Sequence, residues 1–306
     1  MRFLVTGING FVGRHLAAEL FDAGHSVRGF GYPDTNDIHN QIEYDTADIR
    51  DQAQLNALIA EHKPDACIHL AGIAAPSLAE NNPQATFAVN TLGTINLLRA
   101  LKDHAPECRT LCVSTAQVYG SRRQDCEPVD ENTPLRPENI YAITKAAADE
   151  AALAFGAVNG IPVMTARPHN HIGPGQSNDF AVAAFAGQVK KLALGEIKQI
   201  TVGNLESRRD LTDVRDVVRA YRLLCELGTP GQAYNIASGC CVSMREILDR
   251  LCRLARVEAD YKIAPELFRP TDTSLNLNTA ALKQATGWHP VISLDQSLAD
   301  IMDSLQ

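Results

Sequence analysis

The chain has 306 residues, with 28 Lys plus Arg against 36 Asp plus Glu, a formal net charge of −8, and an apolar content of 45%. That composition excludes a disordered or collagen-like chain. The acidic balance argues against a nucleic-acid binder, which needs cationic surface to displace counterions. Before Gly7 there is only a short apolar run, where an export signal needs roughly 7–15 apolar residues and a membrane span about 20. No membrane partner is expected. The eight cysteines include no C-x-x-C pair, and most sit in apolar runs such as Ala66-Cys67-Ile68; they read as reduced core thiols of a cytoplasmic protein.

In chain order, Arg2–Thr6 is a short apolar run ending in Gly7, and Phe11–Ala23 has helical periodicity through Val12, Leu16 and Leu20, with Gly24 as its stop. Ser26–Phe30 reads as a second strand. Asp51 can cap a helix running to His62. Ala66–Ala71 is a third strong strand. One long helix is predicted over Pro83–His104, a strand over Thr110–Ser114, a helix over Ile140–Val158 and a strand over Ile161–Arg167. Repeated strand–helix units of this size predict an α/β fold, a Rossmann-type doubly wound parallel sheet. After Pro168 the pattern loosens: a loop over His169–Asn178, a helix from Phe180 to Leu194, a strand at Ile200–Val202 and the charged Glu206–Asp210. Asp213–Leu227 and Ala233–Ile236 return to the sheet, and short helices follow near Ser243–Ala255, Thr279–Thr286 and Leu294–Leu305. Residues 1–167 are therefore assigned to a dinucleotide-binding domain, its sheet completed by about 211–237, and 168–306 mainly to a smaller α/β substrate lobe.

Gly7-Ile8-Asn9-Gly10-Phe11-Val12-Gly13 joins the first strand to the first helix. A pyrophosphate needs close backbone approach and the free N–H groups of a helix N-terminus, which side chains would block. The turn, with Arg14 after it, is read as the cofactor cradle. The second strand ends without the carboxylate that would bind an adenosine ribose 2′-hydroxyl. Arg14 and Arg28 are candidate phosphate partners, and the balance leans to NADPH over NADH.

Tyr141 and Lys145 lie four apart on a predicted helix, hence on one face. Carbonyl reduction needs a proton donor beside the hydride acceptor, and an ammonium nearby is expected to lower the tyrosine pKa toward neutrality. Thr115, after a predicted strand end, can hold a substrate carbonyl oxygen. His169 and His171 lack a third ligand at metal spacing, so no metal is expected. Trp288 reads as a packing anchor.

These motifs, with Asp48-Ile49-Arg50-Asp51, His69-Leu70-Ala71-Gly72, Asn90 and Arg167-Pro168, run in one order over almost the whole chain. The chain resembles the extended short-chain dehydrogenase/reductases that act on nucleotide sugars. The later blocks (Arg167–Gln176, Val202–Glu206, Arg209–Val217, Tyr234–Gly239, Arg269–Asp272) resemble the branch that reduces GDP-linked 4-keto-6-deoxy sugars. The resemblance implies NADPH- or NADH-dependent reduction of the sugar C4 keto group, GDP-4-keto-6-deoxy-D-mannose giving GDP-D-rhamnose. It implies Thr115, Tyr141 and Lys145 as catalytic residues. It places Asp48 and Ile49 by the adenine, Ala71, Gly72 and Asn90 along the cofactor, Pro168 and His169 by the nicotinamide, and Asn170, Arg209 and Arg269 on the substrate diphosphate. His169 stands where relatives carry an aromatic. A homodimer through the two long helices is implied, with Leu97, Leu98 and Leu101 as apolar positions that core packing would explain equally well. Competing readings are a 4-epimerase, a 4,6-dehydratase, for which Ala116 and Gln117 supply no acid, and a non-catalytic dinucleotide-sensing regulator.

Overall fold

The computed structural model describes residues 1–32, 42–121, 128–267 and 275–305. The first half alternates β1 (Arg2–Thr6), α1 (Phe11–Asp22), β2 (Ser26–Gly31), β3 (Glu43–Thr46), α2 (Gln52–His62), β4 (Ala66–His69), α3 (Pro76–Asn81), α4 (Pro83–Phe87), α5 (Gly93–His104), β5 (Arg109–Val113), α6 (Ile140–Asn159) and β6 (Val163–Pro168). The second half runs β7 (Asn170–Ile172), α7 (Ala181–Ala193), β8 (Ile200–Val202), β9 (Arg208–Asp213), α8 (Val214–Leu227), β10 (Ala233–Ile236), β11 (Cys241–Ser243), α9 (Met244–Ala255), β12 (Tyr261–Ile263), α10 (Ala280–Thr286) and α11 (Leu294–Ser304).

Seven strands form one sheet in the order β10-β6-β5-β4-β1-β2-β3, every pair parallel. The chain winds outward from β1 through β2 to β3, then crosses back to β4. The order therefore reverses between β1 and β4, and such a switch point opens a crevice at the strand C-terminal ends. Local chemistry sets the helix ends. Asp51 caps α2 by accepting from the backbone N–H groups of Ala53 and Gln54, and Asn139 caps α6 through Ala142. Gly160, at φ 69°, closes α6 in the left-handed conformation.

A second core lies beyond the sheet. Phe185, Val189, Ile200, Val202, Leu211, Ile247, Leu251 and Leu298 bury together among α7, α9, α11 and the strands β8 and β9. Sheets β11-β9-β7 and β12-β8 belong to this region. Trp288 is 2% exposed, its Nε1–H donating to the Asp216 carbonyl at 2.9 Å, so it anchors the C-terminal segment to α8.

Several elements differ from the sequence reading. The long helix expected over Pro83–His104 is α4, a wide turn with π-type bonding at Ala88–Leu92, then α5. The turn seats buried Asn90, whose Oδ1 accepts from Ile73 N–H at 2.7 Å and whose Nδ2 donates to Ile73 O and Thr144 Oγ1; π turns serve this kind of placement. Edge strand β3 was unsigned because Glu-Tyr-Asp-Thr lacks an apolar face. Strands β7 and β9 occupy stretches read as loop and charged segment. For Leu97, Leu98 and Leu101, where core and interface were equally open, exposures of 0–1% select the core. Cys67, Cys108, Cys112, Cys225 and Cys252 are buried as expected, but Cys240 is exposed and Cys241 half-buried. Cys126 lies outside the described residues.

Candidate active site

The glycine turn sits at the C-terminal end of β1, beside the switch point. Gly7, at φ 70°, donates to the Phe30 carbonyl at 2.7 Å, and a Cβ on it would stand 2.9 Å from Ala71 N. A Cβ on Gly13 would lie 2.4–2.5 Å from backbone atoms of Gly7 and Ile8. Both positions exclude a side chain, which lets α1 start hard against the turn. Gly10 is the N-cap of α1 and supplies no side-chain cap, so among the described residues the first N–H groups there have neither an intrahelical partner nor a capping oxygen. These observations fit the pyrophosphate of a dinucleotide.

From the turn, a chain of contacts leads across the strand ends. Ala71 N–H donates to Thr6 Oγ1 at 3.0 Å, Thr6 Oγ1 bonds His69 Nδ1 at 2.7 Å, His69 Nε2 bonds Thr94 Oγ1 at 2.9 Å, and Thr94 Oγ1–H donates to the Asn90 carbonyl at 2.7 Å. Burial pushes the His69 pKa down to about 3, so the ring is neutral. For a neutral ring one proton assignment satisfies all four bonds: Thr6 donates to Nδ1, and Nε2–H donates to Thr94. This relay ties Ala71 and Gly72 to Asn90. A Cβ on Gly72 would stand 3.0 Å from Asn90 Oδ1 and 3.4 Å from Lys145 Nζ.

Lys145 is 8% exposed and donates to the Val113 carbonyl at 2.8 Å. Burial lowers its pKa to about 8, against the pull of Asp149 and Cys112. One turn earlier, Tyr141 is 9% exposed, its phenol within reach of the Thr115 hydroxyl. Thr115 caps the short turn Ala116–Tyr119, its Oγ1 accepting from Gln117 N–H. The structure thus brings Thr115, Tyr141 and Lys145 together beside Gly72 at the strand ends. One expectation is corrected: Tyr141 is not lowered toward neutrality but raised to about 12, because burial of the phenolate outweighs the pull of the Thr115 hydroxyl, and Lys145 is not among the groups acting on it. A phenol that stays protonated suits the donor in a reduction. The buried Ser114 hydroxyl, next to Thr115, has no partner among the described residues.

A buried hub supports this arrangement. Asp149, one turn beyond Lys145, accepts from Arg167 Nε and Nη2 and from Thr165 Oγ1. Arg167 Nη1 donates to the Tyr119 hydroxyl and the Glu131 carbonyl. Sequence reasoning missed Asp149, Glu131 and Tyr119 as parts of the site; the signal available was Asp149 at the i+4 position from Lys145.

On the second-lobe side, Pro168 ends β6 and Asn170 begins β7, which pairs with β9 at Asn170↔Leu211. His169 Nδ1 accepts from Asn170 N–H at 2.8 Å, and the ring lies within reach of the Asp210 backbone. Burial lowers its pKa, so the imidazole is neutral and links β7 to the strand carrying Arg209. The Asp210 carboxylate accepts from Ser238 N–H, Ser238 Oγ and Gly239 N–H. His171 stacks on Phe11, ring centroids 6.2 Å apart. Among the described residues no group of three His, Cys, Asp or Glu could hold a metal ion.

Other expected residues fall elsewhere. Arg28 is not open to a phosphate: it forks onto Asp45 at 2.5 and 2.9 Å and reaches Glu61. Asp48 accepts from Arg50, and the Ile49 side chain is in the core against Gly93. Arg269 lies outside the described residues.

The family model for GDP-mannose 4,6 dehydratase matches residues 4–301. The chain belongs to that family, within the extended short-chain dehydrogenase/reductases. It is accordingly an oxidoreductase that uses a nicotinamide dinucleotide. This extended short-chain dehydrogenase/reductase is 36% identical over 303 residues to the GDP-6-deoxy-D-mannose reductase of Pseudomonas aeruginosa, covering 98% of this chain and 96% of that one. It is 30% identical over 264 residues to the GDP-6-deoxy-D-talose 4-dehydrogenase of Aggregatibacter actinomycetemcomitans, covering 86% and 83%. The structure of RMD from Pseudomonas aeruginosa complexed with NADPH superposes with a TM-score of 0.89 at 35% identity, covering 99% of this chain and 98% of that one. The Thermus thermophilus UDP-glucose 4-epimerase, in complex with NAD, superposes at 0.88 with 26% identity, covering 99% and 98%.

Proposed function

We propose that the protein reduces the C4 keto group of a nucleotide-linked 4-keto-6-deoxy sugar, GDP-4-keto-6-deoxy-D-mannose giving GDP-D-rhamnose, with NADPH or NADH. The observation that carries this is the convergence of Thr115, Tyr141 and Lys145 beside Gly72. The named relatives support the substrate class. When bound, a reduced nicotinamide supplies the hydride to C4. The chain supplies the rest. Gly7, Asn9, Gly10, Phe11, Val12, Gly13 and Arg14 form the pyrophosphate cradle. Asp48, Ala71, Gly72, Asn90, Pro168 and His169 line the remaining cofactor path, and Ile49, its side chain in the core, contributes to it by backbone only. Asn170, Arg209 and Arg269 hold the diphosphate, a task that suits the planar guanidinium fork.

Thr115 donates to the C4 oxygen and orients the carbonyl. Tyr141 transfers its phenolic proton to that oxygen as negative charge develops there. Lys145, one turn on and anchored on the Val113 carbonyl, holds the nicotinamide ribose. Donors already in place and shielded from water act on developing charge at little reorganisation cost. Residues 1–167, with β10, would serve the cofactor, and the second core would carry the sugar-binding residues.

We place the protein in the cytoplasm, a reading supported by its buried thiols. Among the described residues no helix is long and apolar enough to cross a membrane. A homodimer is supported by exposed apolar residues on adjoining elements, Phe87, Leu92 and Ile143. The function is tested with Tyr141→Phe, which is expected to cut turnover by about 100-fold or more while NADPH affinity stays near wild type. Near-normal turnover would remove the proton-donor role.

A further inference from the structure

The described end of β2 reads Phe30-Gly31-Tyr32 and presents no carboxylate to repel a 2′-phosphate. Its own cation, Arg28, is engaged by Asp45 and Glu61. Residues 33–41 contain neither Lys nor Arg. The loop after β3 brings another cation to this end of the sheet. Ala47 N–H donates to the Gly31 carbonyl at 3.2 Å, which seats the loop against β2. Three residues on, the Arg50 side chain is 49% exposed and within electrostatic reach of the Tyr32 phenol.

The Arg50 guanidinium is held in a fixed orientation. Its Nε donates to Asp48 Oδ1 and Oδ2 at 2.9 and 3.0 Å, and its Nη2 to Oδ2 at 2.5 Å. Asp48 is itself fixed by Arg50 N–H on Oδ1 at 2.9 Å and by its own N–H on Gln54 Oε1 at 3.1 Å. Nη1 makes no hydrogen bond among the described residues. A planar fork clamped along one edge loses little freedom when its open edge meets a phosphate. The same pairing with Asp48 partly neutralises it, so the selectivity it confers is moderate.

We propose that Arg50 binds the 2′-phosphate of NADPH and sets the preference for NADPH over NADH. This rests on the reading of the Gly7–Gly13 turn as the dinucleotide cradle. It is tested by measuring Kd for NADPH and NADH without any sugar, so the outcome is independent of substrate identity. Arg50→Ala is expected to weaken NADPH about tenfold or more, the equivalent of one charge-assisted contact, and to leave NADH unchanged. Arg50→Lys is expected to recover part of the loss. Arg50→Ala combined with Asp48→Asn, which touches the adenine side that both cofactors share, should still lower the NADPH-to-NADH affinity ratio, which separates a missing cation from an uncovered carboxylate. An NADPH-to-NADH ratio that Arg50→Ala leaves unaltered, or one that collapses instead in Arg14→Ala, overturns the proposal. Failure of the wild-type protein to bind either cofactor strikes the underlying dinucleotide reading and this proposal with it.

Discussion

Replacing Gly13 with Ala tests the cofactor cradle with a single methyl group. That Cβ would sit 2.4 Å from the Ile8 carbonyl oxygen, 2.5 Å from the Gly7 carbonyl oxygen and 2.5 Å from Ile8 Cα. The atoms it meets all belong to backbone, so no side chain can swing aside, and α1 must retreat by about 1 Å to restore ordinary contact. Overpacking of this kind costs about 1–3 kcal/mol, or roughly 1.5–5 °C in Tm for a chain of this size. The larger effect is functional. The uncapped N–H groups of α1 move with the helix, and misplacing a positioning group by about 1 Å can cost on the order of 100-fold in catalysis. We therefore expect NADPH affinity, followed by titration of nicotinamide fluorescence, to fall at least about tenfold, or 1.4 kcal/mol. Gly24→Ala is the control. Gly24 has φ 78° and nothing within 4 Å of an added Cβ, so it costs about 1–2 kcal/mol of left-handed strain with no change in NADPH affinity. Wild-type NADPH affinity in Gly13→Ala would refute the cradle.

Three further outcomes follow from the geometry. Asp149→Ala leaves the Arg167 guanidinium buried without its carboxylate and should cost about 3–5 kcal/mol by urea unfolding; a loss under 1 kcal/mol would show the pair to be incidental. Lys145 has a folded pKa of about 8 against an ordinary value of 10.5, so between those values the unfolded chain binds more protons than the folded one. Its contribution therefore makes stability rise with pH across that window. The difference in unfolding free energy between wild-type protein and Lys145→Met, taken without cofactor, should follow that slope, and a difference that is flat with pH would contradict it. Leu92→Glu combined with Ile143→Glu places charge on the exposed apolar surface and should convert a dimer to monomer in sedimentation, with a dimer of unchanged strength locating the interface elsewhere.

Local patterns were legible where one short segment carries the physics. The glycine turn was readable because close backbone approach demands glycine whatever surrounds it, and Tyr141 and Lys145 because a helix repeat fixes their shared face. Caps such as Asp51, and stops such as Gly160, likewise act within a few residues. The misreadings involve partners distant in sequence. Arg28 resembled a phosphate ligand until the fold set Asp45 and Glu61 against it. Leu97, Leu98 and Leu101 have the spacing of either a core or an interface, and only their burial decides. The helix break at Ala88–Leu92 follows from Asn90 reaching Ile73 and Thr144, contacts that no helical periodicity reveals. Strand β3 pairs through its backbone and through Asp45 on Arg28 of β2, a partner distant in sequence, so its polar side chains gave no signal. The raised pKa of Tyr141 reflects burial produced by the whole site rather than by its neighbour on the helix.

The central claim is reduction of a nucleotide-linked 4-keto sugar. Its most direct test mixes the purified protein with NADPH and GDP-4-keto-6-deoxy-D-mannose, follows loss of reduced-nicotinamide absorbance, and identifies the sugar formed. The expected result is one NADPH oxidised for each GDP-D-rhamnose made. Absence of oxidation with this sugar, together with oxidation by a UDP- or dTDP-linked keto sugar, or C4 inversion without net consumption of cofactor, would contradict it.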